Sequence, residues 1–296
     1  MTTKLVLPAP AKLNLFLHII GRRADGYHEL QTVFQFLTHG DELTFEVNKE
    51  SPDIVLTSNV PALNNTDNLI VKAAHLLQKK TGAQWGARIT LDKRLPLGGG
   101  VGGGSSDAAT ALLGLNALWN LHLSMEQLAE LALQLGADVP VFVRGFSAFA
   151  EGIGELVQSV KPVEAWFLVL VPDVHVDTHQ MYKHKDLTRD TPAIKVCAAL
   201  DQRGRNDFEP LVRRLYPEVD NCLTLLDNFD ESGSGQAMMS GSGACVFAPF
   251  NSREQAQAAQ LELHSQAATF SSFVARGINS SPLHMALQNA GYPLPE

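Results

Sequence analysis

The sequence predicts an α+β protein built as two lobes, and three observations predict it. At 296 residues the chain is longer than one typical domain, and a 45% hydrophobic content is enough for two buried cores. The opening stretch shows the two-residue alternation of strands, whereas the stretches after Asn68 and Gly104 show helical spacing. A polar segment from Gly152 to Pro162 then separates these elements from a buried apolar run at residues 166–171. The expected first lobe covers residues 1–155 and the second 156–277.

Taken in order, residues 12–20 alternate Leu13, Leu15, Leu17 and Ile19 with Lys12, Asn14, Phe16 and His18. One face of this strand is therefore core, and Lys12 shares the other with Asn14. Residues 21–26 read as a turn carrying Arg22, Arg23 and Asp25, and 32–37 and 42–47 as two further strands. Leu69, Ile70, Ala73, Leu76 and Leu77 follow a helical period behind a cap at Thr66 or Asp67. Ala87, Ile89 and Leu91 alternate as the strand leading to Pro96. Ser105 or Ser106 caps the next helix, in which Ala108, Ala109 and Ala111 permit close packing and Leu112, Leu113 and Leu115 supply core. Ser124 with Gln127 forms a capping-box pattern for a helix ending at Gly136, which puts Asp138 just beyond that end. Residues 139–150 read as a strand. After 166–171 come mixed helices, a turn at 232–235, a short strand at 245–248 and a helix capped by Ser252.

Composition narrows the partners. A formal charge of −8 argues against sequence-independent binding to nucleic acid or anionic lipid, and no apolar stretch is long enough to span a membrane. Residues 1–10 lack the pattern of a secretory signal. Cys197, Cys222 and Cys245 stand far apart without a Cys-x-x-Cys spacing, which fits a reducing cytoplasm better than a disulfide framework or a zinc knuckle. His175 and His179 are four apart, but His-Glu-x-x-His is absent, so they read as surface histidines and not as zinc ligands.

The chemistry is concentrated in Leu97-Gly98-Gly99-Gly100-Val101-Gly102-Gly103-Gly104-Ser105-Ser106-Asp107, with six glycines in seven positions directly before a helix. Glycine lets backbone fold tightly and bring bare N–H groups up to an anion, and a helix start adds unpaired donors and a favourable dipole. The run is a phosphate cradle; a flexible linker would not sit between a strand and a small-residue helix. No lysine follows Gly104, which excludes a Walker A loop. Any glycine run satisfies Gly-x-Gly-x-x-Gly, and a second helix follows where a dinucleotide fold needs a strand and an acidic residue.

Three motifs in order are similar to those of the GHMP family of kinases. They are Pro10-Ala11-Lys12-Leu13-Asn14, the loop from Pro96 to Ser106, and Ser240-Gly241-Ser242-Gly243-Ala244. Arg23-Ala24-Asp25-Gly26-Tyr27-His28, the run from Gly136 to Phe142 and Asn279-Ser280-Ser281-Pro282-Leu283-His284 extend the resemblance, within that family, to kinases of a cytidyl diphosphate sugar alcohol. The resemblance implies a ribosomal-protein-S5-like ATP lobe, rejoined by residues 278–296, and a ferredoxin-like substrate lobe. It also implies ATP with Mg²⁺ and direct in-line phosphoryl transfer to a small-molecule hydroxyl. A homoserine or mevalonate kinase is the nearer rival, but a small acid needs no aromatic base clamp of the Tyr27-His28 kind. A nucleotide-binding module without catalysis is the other rival.

Phosphoryl transfer needs donor and hydroxyl held in line, charge neutralised, and a proton acceptor near the hydroxyl. Asp138 suits the last role, and capping the following turn is an equally open reading from the residues alone. Lys12 suits stabilising the attacking oxygen, against the plain reading of a solvated lysine; the family pattern favours the catalytic reading of both. The resemblance assigns Tyr27, His28 and Tyr182 to the cytosine site, with Asn14 and Phe34 completing the substrate pocket and core packing the competing reading for Phe34. It assigns Pro96, Leu97, Gly98, Gly99, Gly100, Val101, Gly102, Gly103, Gly104, Ser105 and Ser106, with Asn68 and Lys93, to ATP. Ser105 or Ser106 is the candidate Mg²⁺ ligand.

Overall fold

The computed structural model describes residues 4–201, 204–229, 237–266 and 270–296. The turn expected at 232–235 lies outside them. Two long strands, β1 (Lys4–Arg22) and β2 (His28–Asn48), pair antiparallel along most of their lengths. The strands expected at 32–37 and 42–47 are thus one strand, and the one expected at 12–20 is the second half of another. Alternation hid this because β1 carries register shifts at Pro10/Lys12, Asn14/Leu17 and Ile19/Gly21, and each shift moves the next side chains to a different face. Both faces of β1 are also covered, with Leu13 and Phe16 buried in different clusters.

The strand β4 (Gly86–Asp92) pairs with β2, and β3 (Ile54–Ser58) adds a parallel edge to β4. A short 3₁₀ turn, Pro61–Leu63, leads to α1 (Leu69–Thr81). That helix is capped by Asn68, whose Oδ1 accepts from the Ile70 N–H at 2.9 Å, and not by Thr66 or Asp67. The next helix, α2 (Gly103–Leu118), starts two residues before the expected serine caps. Its cap is Gly102 at φ +74°, so Ser105 and Ser106 lie in the first turn instead. The capping box of α3 (Met125–Leu135) forms as the sequence predicts, with bonds of 3.0 and 3.2 Å between Ser124 and Gln127, and Gly136 ends the helix.

Residues 139–144 are not strand but the helix α4 (Val139–Arg144). Pro140 sits in its first turn, where a missing N–H costs nothing, and the valines and Phe142 are buried, so packing overrides their strand preference. The four helices bury Ile70, Leu77, Leu112, Leu115, Leu128 and Phe142 in one core with Leu7, Phe45 and Ile89 of the sheet. A hairpin of β5 (Ala148–Gly152) and β6 (Leu156–Ser159) pairs with β2 and crosses residue 155, where the sequence suggests the first lobe ends.

The remaining chain runs through β7 (Trp166–Pro172), α5 (Thr178–Lys183), α6 (Val196–Asp201), α7 (Glu209–Leu215), α8 (Pro217–Asp227), β8 (Met238–Met239), β9 (Val246–Phe250), α9 (Arg253–Gln266), β10 (Phe270–Ile278) and α10 (Pro282–Asn289). Its strands are antiparallel in the order β10-β7-β9-β8, the βαββαβ path of a ferredoxin-like unit. Leu211, Leu223 and Leu263 of α7, α8 and α9 share a core with Leu168 and Val246. The opposite face, with Val169, Phe247 and Ala275, packs against Ala11, Leu13 and Leu37. The two sheets are also continuous, because Gly277 and Ile278 pair with Leu37 and Phe36. The last helix then returns to the first core with Leu283 and Leu287, and His284 Nε2 lies 2.8 Å from the carbonyl of Val143.

Candidate functional site

A cavity of about 630 Å³ lies where the glycine-rich loop, the start of α1, β1, β2 and α5 converge. One end is formed by Pro96, the loop glycines and Asn68, and the other by Leu17, Leu30, Tyr182 and Phe208. Its size is that of a site for small ligands.

The loop's shape requires its glycines. Gly100 adopts φ +75°, and a Cβ there would lie 2.1 Å from the carbonyl oxygen of Ser240. Gly102, at φ +74°, faces the Phe142 ring and the Lys12 stem in the same way. The space saved is used by the second glycine loop, residues 240–244. Ser240 Oγ donates to the carbonyl of Gly100 at 3.0 Å and accepts from the Asn14 N–H, and the Cys245 N–H donates to the carbonyl of Gly99 at 3.1 Å. Asn206 holds this second loop from behind, donating from Nδ2 to the carbonyls of Met239 and Gly241 at 2.7 Å each. The first loop therefore delivers the start of α2, with its unpaired N–H groups, to the cavity on a fixed support.

Lys12 joins the loop to Asp138. Its side chain is almost fully buried, and Nζ donates to Asn14 Oδ1 at 2.5 Å and to the carbonyl of Gly100 at 3.1 Å, and pairs with Asp138 Oδ2 at 3.2 Å. The ammonium also stands 5.1 Å from the centre of the Phe34 ring. Lys12 is thus not a solvated lysine. Asp138 is 36% exposed and precedes α4 without a side-chain cap bond, so its carboxylate faces the cavity and Lys12 instead of its own helix. Asn14 is fixed by donating to Thr32 Oγ1 at 2.9 Å.

Other expected site residues are placed differently. Lys93 lines the cavity, but its ammonium is held by Asp41 at 2.6 Å and Asp107 at 2.7 Å. Burial opposes the charge on Lys93, and the two carboxylates outweigh it and raise its pKa. One ammonium between two carboxylates leaves a buried negative charge in excess. Asp41 Oδ1 also accepts from the N–H groups of Arg94 and Leu95, whereas Asp107 Oδ1 is buried without a partner. Burial accordingly pushes Asp107 up to about 7, with Lys93 working against the shift. Asn68 lines the cavity while spending Oδ1 on its helix cap and Nδ2 on the carbonyl of Leu63. Val101 is outside the cavity lining and anchors the loop in the core between the sheets. Ser105 reaches the cavity, and Ser106 Oγ is buried behind it without a partner.

The aromatic end also differs from an open clamp. Tyr27 is 61% exposed on the β1–β2 turn and outside the cavity lining, and His28 stacks directly on Tyr182, with ring centres 4.8 Å apart. No base fits between those two rings. Tyr182 in turn meets Phe208 edge to face at 4.9 Å. Burial, and after it the charge of Asp138, drives the Tyr182 phenol well above its ordinary range, so it stays neutral.

Sequence reasoning missed Thr32, Asp41, Asn206, Phe208 and Arg189, which support or line the site. Each lies outside a motif, and its partner is distant in sequence; Asn206 and Gly241, for example, are 35 positions apart. Thr178 was missed for the same reason; its hydroxyl lies 2.6 Å, at the cavity wall, from that of Ser242 in the second glycine motif.

Residues 68–146 match the GHMP kinases N terminal domain and residues 187–269 the GHMP kinases C terminal domain. The chain is 54% identical to 4-diphosphocytidyl-2-C-methyl-D-erythritol kinase of Ectopseudomonas mendocina, over 96% of this chain and 95% of that one. It is 53% identical to the protein of that name from Shewanella woodyi, covering 95% and 96% of the two chains. A crystal structure of 4-(cytidine 5'-diphospho)-2C-methyl-D-erythritol kinase is similar with a TM-score of 0.80 and 32% identity, over 92% of this chain and 99% of that one. Mevalonate kinase of Methanococcus jannaschii shares the fold, with a TM-score of 0.67 and 16% identity over 94% and 99% of the two chains.

Proposed function

The chain belongs to the GHMP kinase family, and from that premise we propose that it transfers the γ-phosphoryl group of ATP to the 2-hydroxyl of 4-diphosphocytidyl-2-C-methyl-D-erythritol. The reaction is a step of the non-mevalonate route to isoprenoid precursors. The observation that carries this reading is the contact of Lys12 with both Asp138 and the Gly100 carbonyl, which puts a cation and a carboxylate beside a phosphate cradle.

In this mechanism the loop N–H groups and the start of α2 hold the ATP phosphates. The substrate oxygen attacks the γ-phosphorus, the bond to the β-bridging oxygen breaks, and ADP leaves with that electron pair. The hydroxyl proton passes to Asp138 at the oxygen Lys12 does not hold. Lys12 stabilises the charge on the attacking oxygen from a position that Asn14 and the Gly100 carbonyl keep fixed. Mg²⁺ neutralises phosphate charge when bound. Among the described residues no three His, Cys, Asp or Glu side chains are grouped to hold a metal, and of the two serines at the start of α2 it is Ser105 that lines the cavity. Ser105, beside the phosphate cradle, would be the protein ligand of such a cation.

In this reading the first lobe, residues 1–155 rejoined by 278–296, supplies the ATP site, and 156–277, whose first strand β6 pairs back onto β5, helps enclose the substrate. Leu17, Leu30, Tyr182 and Phe208 take the nucleoside end, with His28 beside Tyr182 and Tyr27 closing from the rim when substrate binds. No helix among the described residues is long and apolar enough to cross a membrane, and a cytoplasmic site of action agrees with three free cysteines. ADP release with the cytidyl substrate, homoserine and mevalonate tests the assignment. Rapid turnover of the cytidyl substrate alone is expected; turnover of homoserine or mevalonate with none of the cytidyl substrate would overturn it.

A further inference from the structure

His28 has one ring nitrogen occupied. Arg189 Nε donates to His28 Nε2 at 3.1 Å, while Nη2 of the same guanidinium donates to the carbonyls of Tyr182 at 2.9 Å and His184 at 2.7 Å, and Nη1 to that of Leu187 at 3.0 Å. A guanidinium can only donate, so the Nε2 it bonds must present a lone pair. A histidine with a lone pair on Nε2 is neutral and carries its single proton on Nδ1, the reverse of the tautomer that free histidine favours. Among the described residues His28 Nδ1 has no protein partner. Its ring is outside the cavity lining but is stacked on Tyr182, which belongs to the cavity's aromatic end.

We propose that Arg189 is a positioning residue for base recognition: it fixes His28 as the Nδ1–H tautomer, so that the site offers a donor and favours cytosine over uracil. The proposal places the His28 proton at N3, where cytosine presents an acceptor and uracil a hydrogen; O2 is an acceptor in both bases. A donor held against a donor loses the bond and leaves two polar groups unpaired, which is how a site rejects a near-isostere. The inference rests on the proposed placement of His28 at the base.

The groups around His28 keep it in this form. Burial, then the positive charges of Arg189 and of Arg22 on β1, lower its pKa, and the neighbour from α5 is the neutral Tyr182 ring. The wild-type enzyme should therefore keep this form to a lower pH than an ordinary histidine would. Without Arg189 the proton redistributes toward Nε2 at pH 8 and the donor is lost. Acidification of that variant then restores it, because imidazolium carries hydrogen on both nitrogens.

Nitrogen-15 NMR of the histidine-labelled enzyme reads the tautomer directly. We expect His28 to show a protonated Nδ1 and an unprotonated Nε2 at pH 8, and an Nε2–H signal at pH 8 in the wild type would overturn the proposal, whether or not any variant folds. In Arg189→Met, KM for the cytidyl substrate should rise about tenfold at pH 8, the equivalent of one net hydrogen bond, and fall again toward pH 5.5 with kcat little changed. The preference over the uridyl analogue should shrink at pH 8. Equal losses for both substrates at every pH would reduce Arg189 to a loop tether and overturn the proposal. A His28→Phe variant separates the two readings. An unchanged KM for the cytidyl substrate would remove His28 from the base site while leaving the NMR result standing.

Discussion

At Lys12, two hydrogen bonds, an ion pair and a ring contact converge on one buried ammonium, so replacing it strands Asn14 Oδ1, the Gly100 carbonyl and Asp138 together. Lys12→Met should lower kcat by roughly 10²–10³-fold, the usual cost of one preorganised charge contact at a reacting oxygen, with ATP affinity changed much less. Steady-state kinetics against calorimetric ATP binding checks the split. Asp107 makes a second prediction, with the sign set by its raised pKa. Between its ordinary value of 3.8 and about 7 the folded protein binds a proton that the unfolded chain does not. Its stabilising contribution is therefore complete below about pH 4 and is lost as pH rises through 7. The unfolding midpoint of wild type minus that of Asp107→Asn should fall over this range; a flat difference would contradict the assignment. The neighbourhood of Lys12 and Asn14 was legible because positions two apart on a strand share a face. The engagement of Lys93 was not, because Asp41 is 52 positions away and belongs to no motif.

Among elements, the paired glycine loops are the least tolerant of change. Gly100→Ala puts a methyl group where the Ser240 carbonyl stands and forces an L-residue to φ +75°. It should weaken ATP binding at least tenfold and cost about 1–3 kcal/mol of stability, measured by calorimetry and denaturant unfolding. Both loops were legible as motifs, and their interlocking was not, since it depends on β8 and β9 delivering Ser240 to Gly100. The capping box of α3 could be read because its bonds span only Ser124 to Gln127. The helix α4 and the continuous β2 could not be read, since burial on all sides makes helix and strand look alike in an apolar run, and β2 passes through Thr38-His39-Gly40-Asp41 by pairing, not by local preference.

Over the whole molecule, the α+β class and the order of the three family motifs were visible from the sequence, whereas the joining of two sheets through β10 and β2 was not, because among the described residues it rests on the pairing of Gly277 and Ile278 with Leu37 and Phe36. The return of the last helix gives a test at this scale. Leu283 is fully buried in the core that supports α2 and α4, so Leu283→Ala, within the last fourteen residues, should cost about 2–5 kcal/mol in denaturant unfolding. A loss under about 0.5 kcal/mol, the range of a surface change, would contradict that docking. In the proposed mechanism proton transfer and charge neutralisation fall to one Lys12–Asp138 pair beside a phosphate cradle. Single-turnover phosphoryl transfer from ATP to the cytidyl substrate, by wild type and by Asp138→Asn with ATP affinity measured on the same samples, tests it most directly. The variant should bind ATP as the wild type does and transfer the phosphoryl group roughly 10²–10⁴-fold more slowly; transfer by Asp138→Asn at the wild-type rate would rule out Asp138 as the proton acceptor.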